Sequence, residues 1–160
     1  MIRIYLASPL GFATSTRPFM HELVQALERF AHVENPWAFG TIPKEEREKV
    51  NALTDRHEYA ARMHELNHRI AAANEAAIRR SDAMVAVLDG VDVDSGTASE
   101  IGFAYGLGKR IWGLRTDFRQ TGENPGAIVN LQVQYWIEAS GGTIVTTTED
   151  LLKALGAGAN

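Results

Sequence analysis

Residues 82–110 read DAMVAVLDGVDVDSGTASEIGFAYGLGKR, and this stretch decides the fold. It opens with the apolar run AMVAVL at 83–88, which has the composition of a fully buried strand and stops at the turn signal Asp89-Gly90. A polar loop follows, and apolar residues between Ala98 and Leu107 then recur at helical spacing. A second buried-strand run, at 111–114, comes directly after Gly108. Strand, loop, helix and strand within about thirty residues predict a βαβ unit, whose loop lies where open α/β sheets bind ligands.

The rest of the chain continues the alternation of strands and helices. Strands are predicted at 3–8, 32–37 and 143–147, and helices at 17–30, at 55–80 and from residues 131 and 148 onward. Residues 44–49 are predicted to form a charged, solvated segment, and residues 115–126 a polar loop. We therefore predict a single domain over residues 1–155: an α/β fold with a doubly wound, parallel, five-stranded sheet of the flavodoxin-like class. Residues 156–160 are predicted to be a flexible tail.

Composition narrows the function. At 160 residues and 45% hydrophobic, the chain can bury one core, and its mild net charge of −4 without a basic stripe argues against a nucleic-acid polymer as partner. The absence of cysteine excludes disulfides and thiolate chemistry. No apolar run reaches the length of a membrane span, and Met1 leads straight into a strand, so we expect a cytoplasmic protein without membrane association.

Glu100 has two readings. Thr97-Ala98-Ser99-Glu100 fits a capping box in which Thr97 caps the helix and Glu100 folds back onto the backbone, and the motif alone favours this reading. Alternatively, the carboxylate faces the cleft, where the helix dipole keeps it ionised as a nucleophile. Asp94 would then supply a second carboxyl for proton handling. Spacing leaves both readings open.

A metal-binding pattern lies in the long helix. His64-Glu65-Leu66-Asn67-His68 matches H-E-x-x-H, and His57 is spaced to share the same face. Zinc needs a third protein ligand, and the continuation typical of metzincins is absent. Because so short a pattern often arises by chance, we favour a solvated face and expect no metal.

The run VDVDSGTASEIGFAYGLGKR at 91–110, together with IYLASPLGF at 4–12 and Asn130-Leu131, resembles the nucleoside 2-deoxyribosyltransferase family. The resemblance covers about residues 2–131 and is weakest at 38–71. It implies that Glu100 is the nucleophile and Asp94 handles the proton. It also implies a set of substrate-binding residues: Tyr5, Ser8, Phe12, Asn74, Gly96 and Asn130.

Several of these residues also have plain structural readings. Tyr5 is otherwise a strand aromatic, Phe12 loop packing, and Asn130 an N-cap. Asn74 would cap backbone or bridge subunits, and its amide cannot titrate. Two further loop aromatics, Trp37 and Phe39, are placed to cover a flat ligand, although single loop aromatics more often pack locally.

The resemblance implies an activity of nucleotide salvage: transfer of 2-deoxyribose between purine or pyrimidine bases, with retention, through a glycosyl-Glu100 intermediate. Deoxyribonucleosides and free nucleobases would be the ligands, and no cofactor is expected. A homo-oligomer, a dimer or multiple of dimers, would complete each site with Asn130 of a neighbouring protomer.

Two rival functions remain. A hydrolase acting on 2-deoxynucleoside 5′-monophosphates would use the same Glu100, but it needs donors for a phosphate. The loop at 8–12 has no arginine before Arg17, which disfavours it. A non-catalytic nucleotide-binding module would keep the cleft without turnover.

Overall fold

Five parallel strands form one sheet in the order β2-β1-β3-β4-β5 in the computed structural model, which describes residues 1–157. The strands are β1 (Ile2–Ala7), β2 (Ala31–Glu34), β3 (Ala83–Val87), β4 (Arg110–Leu114) and β5 (Ile144–Val145). The helices are α1 (Arg17–Leu27), α2 (Lys44–Asn51), α3 (Arg56–Arg80), α4 (Ser95–Gly106), α5 (Leu131–Ala139) and α6 (Thr148–Ala157). This strand order confirms the predicted flavodoxin-like class.

The helices cover both faces of the sheet, and β3 shows why. Met84 and Ala86 point to a core shared with α3, α4 and α5, whereas Val85 and Val87 point to a core shared with α1 and α6. Successive side chains of a strand point to opposite faces, so a central strand covered on both faces is apolar throughout. The run at 83–88 is therefore continuous rather than alternating.

Some boundaries differ from the predictions. The predicted strand at 32–37 ends at Glu34, because Pro36 begins a short 3-10 turn in which Asn35 accepts a hydrogen bond from the backbone N–H of Trp37. The first helix ends at Leu27 instead of residue 30. The segment at 44–49, predicted to be merely solvated, forms α2, because Val50 is buried in a small cluster with residues of α3 and the preceding loop.

The chain terminus and the long helix complete the architecture. Helix α6 continues through Ala157, two residues into the predicted tail, and residues 158–160 of that tail lie outside the described residues. Helix α3 begins after Asp55, whose Oδ1 accepts from the backbone N–H of Glu58 at 2.8 Å. Within residues 1–157, no helix combines the length and apolar character needed to cross a membrane.

Candidate active site

The start of α4 places Glu100 away from its own backbone. Asp94 is the N-cap, and its Oδ2 accepts from the backbone N–H of Thr97 at 2.9 Å and from the Thr97 hydroxyl at 3.3 Å. Of the two alternatives that the sequence left open for Glu100, the capping box is therefore not formed. Thr97, only 2% exposed, is buried and donates its hydroxyl to Asp94. The helix therefore begins at Ser95, two residues before Thr97, and Thr97 is not its cap.

Two side chains from distant parts of the chain meet the Glu100 carboxylate. The Tyr5 hydroxyl, from β1, donates to Oε1 at 2.6 Å, and Asn74 Nδ2, from α3, lies 3.5 Å from the same oxygen. Tyr5 has no exposed surface. Within residues 1–157, Oε2 accepts no hydrogen bond, so this oxygen is the one left for a ligand.

The surroundings of Glu100 shift its acidity. Burial is the largest effect and raises the pKa of Glu100, and the negative charge of Asp94 raises it as well. The hydrogen bonds from Tyr5 and Asn74 act in the opposite direction and lower this pKa. Burial also raises the pKa of Tyr5 far above its ordinary value, and the negative charge of Glu100 adds to that effect. Tyr5 therefore remains a protonated donor at neutral pH.

A cavity of about 450 Å³ opens in front of Glu100. Its lining comprises Ser8, Phe12, Pro36, Trp37, Gly40, Thr41, Ile42, Arg47, Ile70, Asn74, Asp94, Gly96, Thr97 and Glu100. The lining therefore combines aromatic and aliphatic side chains with two carboxyls and an amide. A pocket of this size, apolar with a few convergent polar groups, suits a small organic ligand.

The aromatic part of the cavity lining packs on the loop after β1. Phe12, 73% exposed, packs edge-on against Trp37 with ring centroids 4.7 Å apart, and Trp37 Nε1 donates to the Ser8 carbonyl at 2.8 Å. Gly11 lies so near that a Cβ there would be 2.0 Å from the Trp37 ring. This wall is therefore fixed by a hydrogen bond and by a position that only glycine fits.

Of the other predicted site residues, three are inside the cavity lining and one is outside it. Ser8, Gly96 and Asn74 line the cavity. Asn130 does not: it is the N-cap of α5, accepting from the backbone N–H of Gln132 at 3.0 Å and donating to Glu123 at 2.5 Å. Its plain structural reading thus holds within one chain. The aromatic Phe39, placed by sequence to cover a ligand, packs against the core instead.

Sequence reasoning missed the contribution of α2 and the loop before it. Arg47, Thr41 and Ile42 line the cavity, although they lie in the part of the chain with the weakest resemblance. The Arg47 guanidinium has no hydrogen-bond or ion-pair partner among the side chains and carbonyls of residues 1–157. No local pattern could have revealed this, because the position of Arg47 depends on how α2 packs against α3.

A second, shallower cavity of about 290 Å³ reaches Glu100 from the α3–α4 side. It shares Asn74, Gly96 and Glu100 with the first and adds residues such as Glu75 and Phe103. The nucleophile candidate is thus accessible from two directions.

The metal pattern on α3 is away from this site. His64 and His68 are exposed, with ring centroids 4.4 Å apart. In the described part of the chain, no three His, Cys, Asp or Glu side chains come together as a metal site, so this pair has no third ligand there.

Comparison with known proteins gives a consistent picture. The chain is similar to a conserved protein of Enterococcus faecalis V583, with 29% identity, a TM-score of 0.72 and 98% of each chain covered. It shares its fold with a 2-deoxyribosyltransferase of Bacillus psychrosaccharolyticus, with 21% identity, a TM-score of 0.61 and coverage of 94% of this chain and 90% of that one. It also shares it with a CMP N-glycosidase of Clostridium botulinum, with 19% identity, a TM-score of 0.55 and coverage of 96% and 98%.

A comparison with curated protein sequences gives no match. The family model for nucleoside 2-deoxyribosyltransferase matches residues 4–132, which include Tyr5, Asn74, Asp94 and Glu100. The match extends over most of the chain, and the fold agrees with it. The chain therefore belongs to the nucleoside 2-deoxyribosyltransferase family, whose members are enzymes of glycosyl transfer or hydrolysis.

Proposed function

We propose that this protein is a nucleoside 2-deoxyribosyltransferase that moves 2-deoxyribose between purine or pyrimidine bases through a covalent intermediate on Glu100. The observation that carries the proposal is the state of that carboxylate. Oε1 is held by Tyr5 and Asn74, whereas Oε2 has no hydrogen-bond donor within residues 1–157, and Glu100 lines a cavity of about 450 Å³, large enough for a nucleoside. A fixed carboxylate with one free oxygen suits attack on an anomeric carbon.

The first half-reaction forms the glycosyl-enzyme. Glu100 Oε2 bonds to C1′ of the donor nucleoside as the C1′–N bond breaks. The electron pair of the breaking C1′–N bond passes to the base nitrogen. The Asp94 carboxyl delivers the proton that makes the base a viable leaving group. Oδ2 of Asp94 caps α4, so Oδ1 is the oxygen available for this proton.

The second half-reaction regenerates the enzyme. A nitrogen of the incoming base attacks C1′ from the vacated side, its proton passes to Asp94, and the electron pair of the ester bond returns to Glu100. The Tyr5 hydroxyl stabilises the re-formed carboxylate. Two displacements retain the configuration at C1′. Every proton and electron pair is accounted for without a metal or an organic cofactor.

The cavity supports roles for the remaining residues. Phe12 and Trp37 provide aromatic surfaces on which a base can stack, and Ser8 lines the same cavity. Gly96 has no side chain, so the sugar can approach the start of α4 closely. Asn74 offers its amide to the sugar or to Glu100. The proposal places this chemistry in nucleotide salvage in the cytoplasm.

We extend the proposal to a homo-oligomer, a dimer or multiple of dimers. The shallow cavity leaves the α3–α4 side of Glu100 open, which favours closure of the sugar site by a second copy. Asn130 of the neighbouring protomer would reach the sugar hydroxyls there. Measurement of the oligomeric state, with Asn130→Ala tested for a raised KM for the donor, checks this step.

A second candidate is an N-glycosidase that hydrolyses 2-deoxynucleoside 5′-monophosphates at the same Glu100. One observation favours it: Arg47, a cation of a kind absent from the first loop, lines the cavity. A guanidinium is suited to bind a phosphate group. The structural similarity to a CMP N-glycosidase is consistent with this alternative.

Product analysis distinguishes the two functions. With 2′-deoxyinosine and adenine, a transferase yields 2′-deoxyadenosine, whereas the hydrolase releases 2-deoxyribose 5-phosphate from a 2′-deoxynucleoside 5′-monophosphate. Incubation with a 2-fluoro-2-deoxynucleoside should trap the sugar on Glu100, which peptide mass spectrometry identifies. Glu100→Gln should abolish both trapping and turnover, and Glu22→Gln, on the exposed face of α1, is the matched control. Trapping on another residue, or an active Glu100→Gln variant, would overturn the proposal.

A further inference from the structure

Arg115 is a buried cation outside the cavity lining. The sequence places it at the start of a polar loop, yet only 1% of its surface is exposed, and it is among the largest fully buried side chains. Burying a guanidinium costs several kcal/mol unless its donors are satisfied. Its hydrogen bonds therefore indicate what the fold gains from it.

All the acceptors of the Arg115 guanidinium are backbone carbonyls. Nη1 donates to Leu88 O, Nη2 donates to Gly90 O at 3.2 Å and to Arg119 O at 2.7 Å, and Nε donates to Arg119 O at 3.2 Å. Leu88 and Gly90 belong to the loop after β3, and Arg119 to the loop after β4. One side chain thus joins the two loops at the carboxyl edge of the sheet.

Asp89 makes the reciprocal connection. From the loop after β3, its Oδ1 accepts from the backbone N–H groups of Thr116 at 2.6 Å and Asp117 at 2.9 Å. Its Oδ2 accepts from the Thr116 hydroxyl at 2.7 Å. We refer to Arg115 and Asp89 together as the loop clamp, since each carries a charge from one loop to the backbone of the other.

The clamped loop leads directly to Asp94. After Gly90, which has a φ of +131°, the chain runs to Val93, buried to 7% exposure in the core, and then to the cap of α4. The clamp and the Val93 anchor together leave this short segment little freedom. Asp94 is also held to α4 by its cap bonds to Thr97, so the cap and the clamp together set where Asp94 lies relative to Glu100.

We propose that Arg115 and Asp89 are positioning residues that hold Asp94 at the distance from the scissile bond at which it protonates the departing base. This inference rests on the proposed function, because it assigns a role within that mechanism. It predicts a loss confined to leaving groups that need a proton. A general acid contributes roughly 10²–10⁴-fold, so a misplaced one should forfeit part of that factor.

The test compares two donors in single-turnover formation of the glycosyl-enzyme. 2′-Deoxyinosine needs protonation of its base, whereas 7-methyl-2′-deoxyguanosine carries a cationic base that departs without it. Asp89→Ala and Arg115→Lys should slow the reaction of deoxyinosine roughly 10- to 100-fold while changing that of the methylated donor less than about twofold. Asp89→Asn keeps an acceptor for Thr116 and should recover part of the rate.

The control and the fold check come from the same sheet. Arg110 lies at the opposite end of β4, where it donates to the backbone carbonyl of Gly141 at 2.8 Å. Arg110→Met should leave the reaction rates of both nucleosides unchanged. Removal of Arg115 leaves three carbonyls unpaired and endangers folding. Asp89 is only half-buried, so its variants test the same clamp in a folded protein, with thermal melts as the check.

The outcomes separate this inference from the function on which it rests. Equal losses on the two donors would show a general structural effect and overturn the clamp as a positioning device, as would unchanged rates on both. If the wild-type protein forms no glycosyl-enzyme with either donor, the proposed function itself is wrong and the role of Asp94 falls with it.

Discussion

Replacing Tyr5 with Phe tests the hydrogen bond on which the proposed mechanism depends. The substitution removes one hydroxyl from a side chain with no exposed surface and leaves the ring to fill the same space. Oε1 of Glu100 then keeps only the contact with Asn74 at 3.5 Å in place of a donor at 2.6 Å. The change therefore acts on the charge of the carboxylate with little effect on packing.

The magnitude follows from the type of bond. A hydrogen bond to a charged group contributes about 1.5–3 kcal/mol, and each 1.36 kcal/mol corresponds to tenfold in rate. Release of the sugar regenerates the carboxylate that Tyr5 stabilises, so Tyr5→Phe should slow this step about 10- to 100-fold. The hydroxyl also lowers the pKa of Glu100. Without it that pKa rises further, and the acid limb of the glycosylation rate moves to higher pH.

Rapid-quench mass spectrometry measures both effects, because it reports the fraction of enzyme carrying the sugar at each time. The glycosyl-enzyme should accumulate in Tyr5→Phe and not in Tyr59→Phe, which removes a hydroxyl from a tyrosine 39% exposed on α3. Wild-type rates in both half-reactions, together with an unmoved acid limb, would refute the role assigned to Tyr5.

Three further predictions concern charge and packing. When Asp94 is ionised, its charge raises the Glu100 pKa; Asp94→Asn removes this charge, so the acid limb set by Glu100 should move to lower pH, opposite to Tyr5→Phe. The pKa of Glu34 is lowered to about 2, chiefly by the hydrogen bond from Arg80. Its carboxylate should therefore stabilise the fold by roughly 1–3 kcal/mol above pH 4.5, and Glu34→Gln should lose this stabilisation. Gly11→Ala places a Cβ 2.0 Å from the Trp37 ring and should cost about 1–3 kcal/mol and raise KM.

Each of these has its own check. The acid limb is read from kcat/KM against pH, and a shift to higher pH in Asp94→Asn would contradict the assigned sign. For Glu34, the folded-state pKa is depressed, so the advantage over Glu34→Gln in urea melts should be full above pH 4.5 and vanish as pH falls through about 2. Gly106→Ala is the control for Gly11, because nothing lies within 4 Å of its added Cβ; equal melting temperatures for the two variants would count against the wall.

Local patterns were sufficient for much of the fold. The apolar run ending at Asp89-Gly90 and the helical spacing after it predicted a βαβ unit because strand and helix periods are properties of short segments. The helix start was less certain, since Asp94 and Thr97 are both good caps and lie three residues apart. The inward packing of Thr97 decided between them, and that packing depends on the core.

The candidate site shows the same division. Resemblance in the motif pointed to Glu100 and Tyr5, and the structure brings them together across 95 residues of chain. Arg47 and Arg115 had no signal. Arg47 was predicted in a solvated segment and lines the cavity, whereas Arg115 was predicted in a polar loop and is buried. Arg47 is placed by the packing of α2 against α3, and Arg115 is held in part by carbonyls 25 and 27 residues away, so no short window of the sequence contains these interactions.

By itself, the sequence determined the alternation of strands and helices apart from α2, the apolar interior of β3 and the presence of two carboxyls at the start of α4, because each depends on neighbouring residues. Only the tertiary structure decided that Glu100 turns from its own backbone to Tyr5 and Asn74, which contact Oε1 alone, and that Glu100 lines the cavity. A carboxylate points toward the donors that surround it, and here those donors come from a strand and a helix that meet it only when the sheet has assembled.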